Sequence, residues 1–259
     1  MNLEYYEKKP LSRLLLMAII VVLVLVSASF AYEINLNPST CSSVIVNGDP
    51  EDKINIVFLS DNYRGVVKFI SDVGDYVDLS GVKNGLLSVE PFTSYRKDFN
   101  FYYITEIEDL GCSTDDGYIL CDDNKVKRVA ASCPHDYIII LRDYNGFEAF
   151  KHLRSSAYLD VAAINTADNR LVLAHEFAHI FAGLADEYVT DTFVSLGQTP
   201  NCDIEDCPKW YGQYDDVGCF SGCTNAEFYR STENSIMKDY SKSSEFGALN
   251  KNLLVRELL

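Results

Sequence analysis

Apolar residues recur along the chain with two different spacings. INIVFLS (54 to 60) is a short apolar run of strand length, and the following YRGVVKFISDVGDYVD sets Val66, Val67, Ile70, Val73 and Val77 at helical spacing. Together they predict a strand followed by a helix. NFYYITEI (100 to 107), DYIIILR (136 to 142) and YLDVAAI (158 to 164) are rich in aromatic or β-branched residues and bounded by polar or turn-forming stretches. They read as further strands of one sheet. Between polar Asn165-Thr166-Ala167-Asp168 and Gly183 lies a second helical stretch, with a cap at its start in that polar run and a glycine stop at its end. From 189 to about 235 the sequence turns to loops punctuated by Gly, Pro and Cys, and a final helix is expected from about Ala248 to Leu258. The pattern predicts an α/β fold: a sheet and a central helix over about 50 to 188, then a loop-rich, stapled C-terminal part over about 189 to 259. There is no internal repeat.

The first 31 residues follow another logic. Lys8, Lys9 and Arg13 precede a charge-free run from Leu14 to Ala31 that closes on the small-x-small pattern Ser29-Phe30-Ala31. This is the layout of a secretory signal peptide, and the run from 14 to 31 is also just long enough for an uncleaved membrane anchor. Residues 1 to 31 are therefore expected to be a signal peptide or N-terminal anchor, and residues 32 to 259 one exported domain. That domain would be secreted or held at the outer face of a membrane.

Composition sharpens the picture in two respects. With 38 acidic against 22 basic side chains the formal charge is −16. Such a field repels phosphate backbones, so nucleic acid is not an expected partner, and the surplus reads chiefly as solubility. The eight cysteines, all after residue 31, are an even number in a chain expected to be exported, which predicts disulfides. Cys112 and Cys121 flank a short polar loop, while Cys202, Cys207, Cys219 and Cys223 lie close together. A structural zinc bound by those four is the alternative to bridges there, and Cys41 and Cys133 are left as a long-range pair.

The candidate chemistry lies in LVLAHEFAHIFAGLADEY (171 to 188). His175 and His179 are one helical turn apart, so both imidazoles project from one face and can converge on one tetrahedral ion. Glu176 is turned about 100° from His175, beside the ion rather than on it, where a general base belongs. The flanking residues are apolar on nearly every side, so three titratable groups would be buried at high cost without a metal to compensate. A third ligand is needed. A continuous helix would carry Asp186 about 10 Å along the axis from His179, so the helix must stop at Gly183, after which Asp186, or Glu187 beside it, can complete the site. Asp186 is the first choice.

The segment HEFAHIFAGLADEY resembles the extended zinc motif of the immunoglobulin A peptidase family of metallopeptidases, itself similar to the metzincins, in which HExxH is followed by a Met-turn. INIVFLSDNY (54 to 63) and PFTSYRKDFNFYYI (91 to 104) are similar to two earlier blocks of that family, and YRSTENSIMKDY (229 to 240) to a later one that offers Ile236-Met237 as the Met-turn. Gly183 follows His179 by four residues, against three in the metzincin pattern. The resemblance implies a zincin or metzincin-like mixed sheet with an active-site helix. It also implies one catalytic zinc held by His175, His179 and Asp186, with Glu176 as general base. The activity implied is metal-dependent hydrolysis of protein or peptide substrates outside the cytoplasm, with Tyr240 or Tyr188 as candidate donors to an oxyanion. Two other readings stay open: a binding module that keeps the metal as a staple, and a zinc hydrolase of non-peptide amides.

Overall fold

Apolar runs of strand length bury both faces when they pair in parallel at the middle of a sheet. The computed structural model, which describes residues 41–79, 84–105, 109–144, 153–190 and 199–259, shows this arrangement. Strands β1 (Cys41–Ile45), β2 (Ile54–Asp61), β3 (Phe99–Ile104), β6 (Tyr137–Arg142), β7 (Ser156–Tyr158) and β8 (Val161–Asn165) form one six-stranded sheet in the order β1-β3-β2-β6-β8-β7. The four inner strands are parallel, and β1 and β7 run antiparallel at the two edges.

The period-two alternation of the strands divides the core. Ile56, Phe58, Ile139 and Leu141 face a cluster shared with helices α1 (Val66–Val77), α3 (Leu171–Ala182) and α5 (Ala248–Leu258). Val57, Leu59, Ile138 and Ile140 face the opposite side, covered by helix α2 (Asp123–Ala130) through Val126, Val129 and Ala130. The protein is thus a mixed α/β structure with helices on both faces of a mixed sheet.

Three expectations need correction. Helix α1 exists, but it buries Phe69, Val73, Tyr76 and Val77 and leaves Val66, Val67 and Ile70 exposed. The larger aromatic side chains share the core with Val73 and Val77, with Phe69 edge-on to Tyr63 and Tyr103, and turn Val66, Val67 and Ile70 outward. The run 158 to 164 is not one strand: Leu159, with φ of 53°, starts a turn that separates β7 from β8, so the segment is a hairpin. The C-terminal part is less irregular than its composition suggests. It carries a three-stranded sheet of β9 (Cys202–Asp203), β10 (Phe220–Cys223) and β11 (Asn225–Arg230) around the buried Trp210, then a short helix α4 (Ile236–Asp239). Helix α5 has the bounds expected of it. The small hairpin of β4 (Ser113–Asp115) and β5 (Tyr118–Leu120) forms a separate two-stranded sheet that packs beside β7 and β8.

All eight cysteines are paired, as Cys41–Cys133, Cys112–Cys121, Cys202–Cys223 and Cys207–Cys219. The alternative of a zinc held by the last four is therefore set aside, because their sulfurs are spent in two bridges. Four disulfides suggest an oxidising, extracytoplasmic environment. Among the described residues no helix is long and apolar enough to cross a membrane. The segment expected to be a signal peptide or anchor, and residues 106 and 107 of the expected strand 100 to 107, lie outside the described residues. Thiol titration of the denatured, unreduced protein should find no reactive cysteine. Four thiols together with a bound metal would overturn the pairing in the C-terminal part.

Candidate metal centre

Helix α3 begins later than its polar lead-in suggested. The Leu171 N–H donates to Asn169 Oδ1 at 3.0 Å, so the first free N–H of the helix is met by Asn169, one residue past the expected polar run. Leu171, Val172, Leu173, Ala174, Phe177, Ala178 and Phe181 are all buried, and Phe177 and Phe181 pack against Phe92, Phe99 and Tyr137. Gly183 ends the helix with φ of 62°, a left-handed conformation in which a Cβ would be strained, and Leu184 N–H turns back to Ala178 O.

The two histidines stand on one face of α3, ring centroids 4.7 Å apart and planes nearly perpendicular. Each Nδ1 meets a backbone carbonyl: His175 that of Ile236 at 3.0 Å, His179 that of Leu184 at 2.5 Å. A carbonyl only accepts, so these contacts fix the proton on Nδ1 and leave a lone pair on each Nε2. The two Nε2 atoms are 3.2 Å apart, and Asp186 Oδ1 lies 3.1 Å from that of His175 and 3.3 Å from that of His179. Three acceptors thus converge on one point. Donors bound tetrahedrally to a metal ion at 2.0 to 2.1 Å stand about 3.3 Å from one another, so this triangle has the dimensions of a tetrahedral metal site. With the protons on Nδ1, Asp186 Oδ1 is a buried oxygen that receives no hydrogen bond, an arrangement a cation resolves. A proton is the lesser substitute. Burial lowers the His179 pKa, but the adjoining Asp186 carboxylate outweighs that and pushes it up to about 9. Burial likewise raises Asp186, yet the two adjoining imidazoles hold it below the usual carboxylate range.

The turn that carries Asp186 is fixed by distant residues. Ala185 exchanges two hydrogen bonds with the Asn201 side chain, Asp186 O accepts from Thr224 N–H at 2.9 Å, and Glu187 N–H donates to Met237 O at 2.9 Å. The Cys202–Cys223 bridge joins the neighbours of Asn201 and Thr224, so it staples together the two segments that hold the turn. Glu187 points elsewhere. Its buried carboxylate accepts from Ser235 Oγ, from Asn250 Nδ2 at 2.9 Å and from Asn201 Nδ2 at 3.4 Å, and burial pushes its pKa up. The structure brings Asp186, and not Glu187, to the histidines.

Glu176 is buried beside the cluster at 8% exposure; burial raises its pKa, and the neighbouring His175 and His179 offset part of that rise. Tyr240 packs its ring 5.3 Å from that of His175 and donates its hydroxyl to Asp168 Oδ2 at 2.7 Å. The Tyr188 ring stacks on that of His175 at 6.4 Å, and burial and the nearby Asp186 carboxylate push its pKa up. Met237 is fully buried in the core cluster, and the carbonyls of Ile236 and Met237 are the acceptors for His175 and Glu187. Sequence reasoning missed the supporting shell of Asn201, Thr224, Ser235 and Asn250. Each acts across a long sequence separation, and no local spacing marks it.

His175 and His179 on the buried helix and Asp186 on the turn after it form a donor set that could hold a metal ion, and comparison with known families says more. The family model described as IgA Peptidase M64 matches residues 110–200, a stretch that contains α3, Asp186 and Glu187. The match supports an immunoglobulin A peptidase-like metallopeptidase family, which implies a peptidase that holds a metal, typically zinc, and acts on protein or peptide substrates. No curated protein matches the chain.

Proposed function

We propose that the protein is an extracytoplasmic zinc endopeptidase with a metzincin-like catalytic domain, in which His175, His179 and Asp186 hold one zinc and Glu176 is the general base. The observation that carries this is the convergence of two Nε2 lone pairs and the orphaned Asp186 Oδ1 beside a buried glutamate. Three protein donors are the number that a catalytic zinc site uses. Zinc so held supplies Lewis acidity, polarising a peptide carbonyl and making water acidic near neutral pH.

The chain's own residues do the rest. Glu176, raised by burial, takes a proton from the attacking water and returns it to the leaving amine. The Ile236 and Leu184 carbonyls hold both imidazoles in the tautomer that keeps Nε2 available. Tyr188 and Tyr240, both beside His175, are the candidate donors to the oxyanion. Burying Glu176 costs stability that a purely structural metal site would not require, which favours an enzyme over a binding module. Incubating the purified chain with a diverse peptide library should give internal cleavages that a chelator stops and added zinc restores. No cleavage by zinc-loaded protein, or cleavage indifferent to the chelator, would contradict the proposal.

A further inference from the structure

The β4–β5 hairpin, closed by Cys112–Cys121 and turned by Asp116 and Gly117 at positive φ, is laid against the segment that enters β7. Arg154 N–H donates to Gly117 O at 2.7 Å, Ile119 N–H donates to Arg154 O at 3.1 Å, and Ser156 Oγ donates to Ile119 O at 2.5 Å. Strand β7 in turn packs against α3, the helix of the two histidines. Both backbone polar groups of Arg154 are therefore spent on the hairpin. Its side chain is braced as well: Nη1 donates to Tyr118 Oη at 3.1 Å, and the guanidinium carbon stands 5.6 Å from the centre of the Tyr118 ring.

Arg154 nonetheless stays exposed, and among the described residues no carboxylate forms an ion pair with it. Arg154 stands two residues before β7, the strand that packs against α3, and its charge is felt at Asp186 and Tyr188, so the braced guanidinium belongs to the neighbourhood of the metal cluster. In a chain with 38 acidic and 22 basic side chains, a cation so placed with no carboxylate partner among the described residues stands out. Tyr118 occupies one N–H of the planar guanidinium, and its other N–H groups can still meet a carboxylate from outside in the paired geometry that arginine favours.

We propose that Arg154 is a specificity-determining residue that binds a carboxylate of the peptide substrate close to the scissile bond, either an Asp or Glu side chain or the free C-terminal carboxylate. The proposal rests on the peptidase reading above. A bracing role alone, with the guanidinium serving only to hold Tyr118 and the hairpin, would affect all substrates alike.

The test uses the full-length protein and a peptide series built on the best-cleaved library sequence, or on the tightest-bound one if none is cleaved. Asp or Glu is exchanged for Asn or Gln at each position near the cleaved bond, with the C-terminus free or amidated. The parent is expected to favour the carboxylate peptide by about tenfold or more in kcat/KM, the scale of one charge-assisted hydrogen bond. Arg154→Gln should abolish that preference while neutral peptides are cleaved at nearly the parent rate, and Arg154→Glu should turn the preference towards Lys or Arg. Loss of the preference on amidation assigns the carboxylate to the C-terminus; its survival assigns it to a side chain. Equal losses for all peptides in Arg154→Gln with a lowered Tm, or no carboxylate preference in the parent, overturn the proposal. Calorimetric binding of the same peptides on a Glu176→Gln background separates the two readings. A preference that depends on Arg154 in binding, with no turnover by the parent, sinks the peptidase reading alone, and its absence in binding sinks the role of Arg154.

Discussion

Replacing Asp186 by alanine should leave a folded protein without its metal. The substitution removes the one oxygen in the triangle of donors, leaving two imidazoles, one short of the donor number of a catalytic zinc site. Two readouts follow. Elemental analysis should fall from about one zinc per chain to nearly none, and the response of Tm to a chelator should vanish. In the parent a metal present at a thousandfold over its Kd stabilises the fold by about 4 kcal/mol, so chelation should lower Tm on the order of 10 °C. Glu187→Ala is the matched control, because it removes a carboxylate from the same turn without touching the triangle. That variant should keep its zinc and lose about 1 to 3 kcal/mol of stability or more, since Ser235, Asn250 and Asn201 are left with unmet donors. The reverse pattern, with zinc lost on removing Glu187 and kept on removing Asp186, would mean that the turn has been misassigned.

The contrast between these two carboxylates marks the limit of what the sequence makes legible. His175, Glu176 and His179 are placed by the 3.6-residue period alone, and that period is a local property which tertiary context does not alter. The stop at Gly183 is local too. Beyond it, the choice between Asp186 and Glu187 depends on Asn201, Thr224 and Met237 gripping three successive backbone units, and no pattern within the turn encodes those partners. The same distinction runs through the fold. The strand at 54 to 60 and the helix at 248 to 258 stand where periodicity puts them. Helix α1 is legible in its spacing, but which of its apolar residues are buried is not, because Phe69 and Tyr76 join Val73 and Val77 in the core through packing against neighbours such as Tyr103 of β3. The hairpin inside 158 to 164 was hidden because Leu159 and Asp160 carry no glycine or proline to announce a turn. Cysteine pairing divides likewise: the 112–121 bridge is near in sequence, whereas the partition of the last four depends on the small sheet they staple.

Changing Glu176 to glutamine tests the central claim most directly. The amide keeps the size of the carboxylate but cannot take a proton at neutral pH, so the variant removes the base while leaving His175, His179 and Asp186 in place. Burial already raises the Glu176 pKa, as suits a group that must accept a proton from water and release it to an amine. The neutral amide also relieves the cost of a buried charge, so folding and zinc content should be unchanged. General-base catalysis is typically worth 10² to 10⁴ in rate, which corresponds to about 3 to 5 kcal/mol of barrier. The decisive measurement is therefore the turnover of the best library peptide by zinc-loaded Glu176→Gln and by the parent, side by side at equal metal content. A loss of roughly hundredfold to ten-thousandfold at unchanged zinc is the expected result; cleavage by the variant at the parent rate would contradict the account.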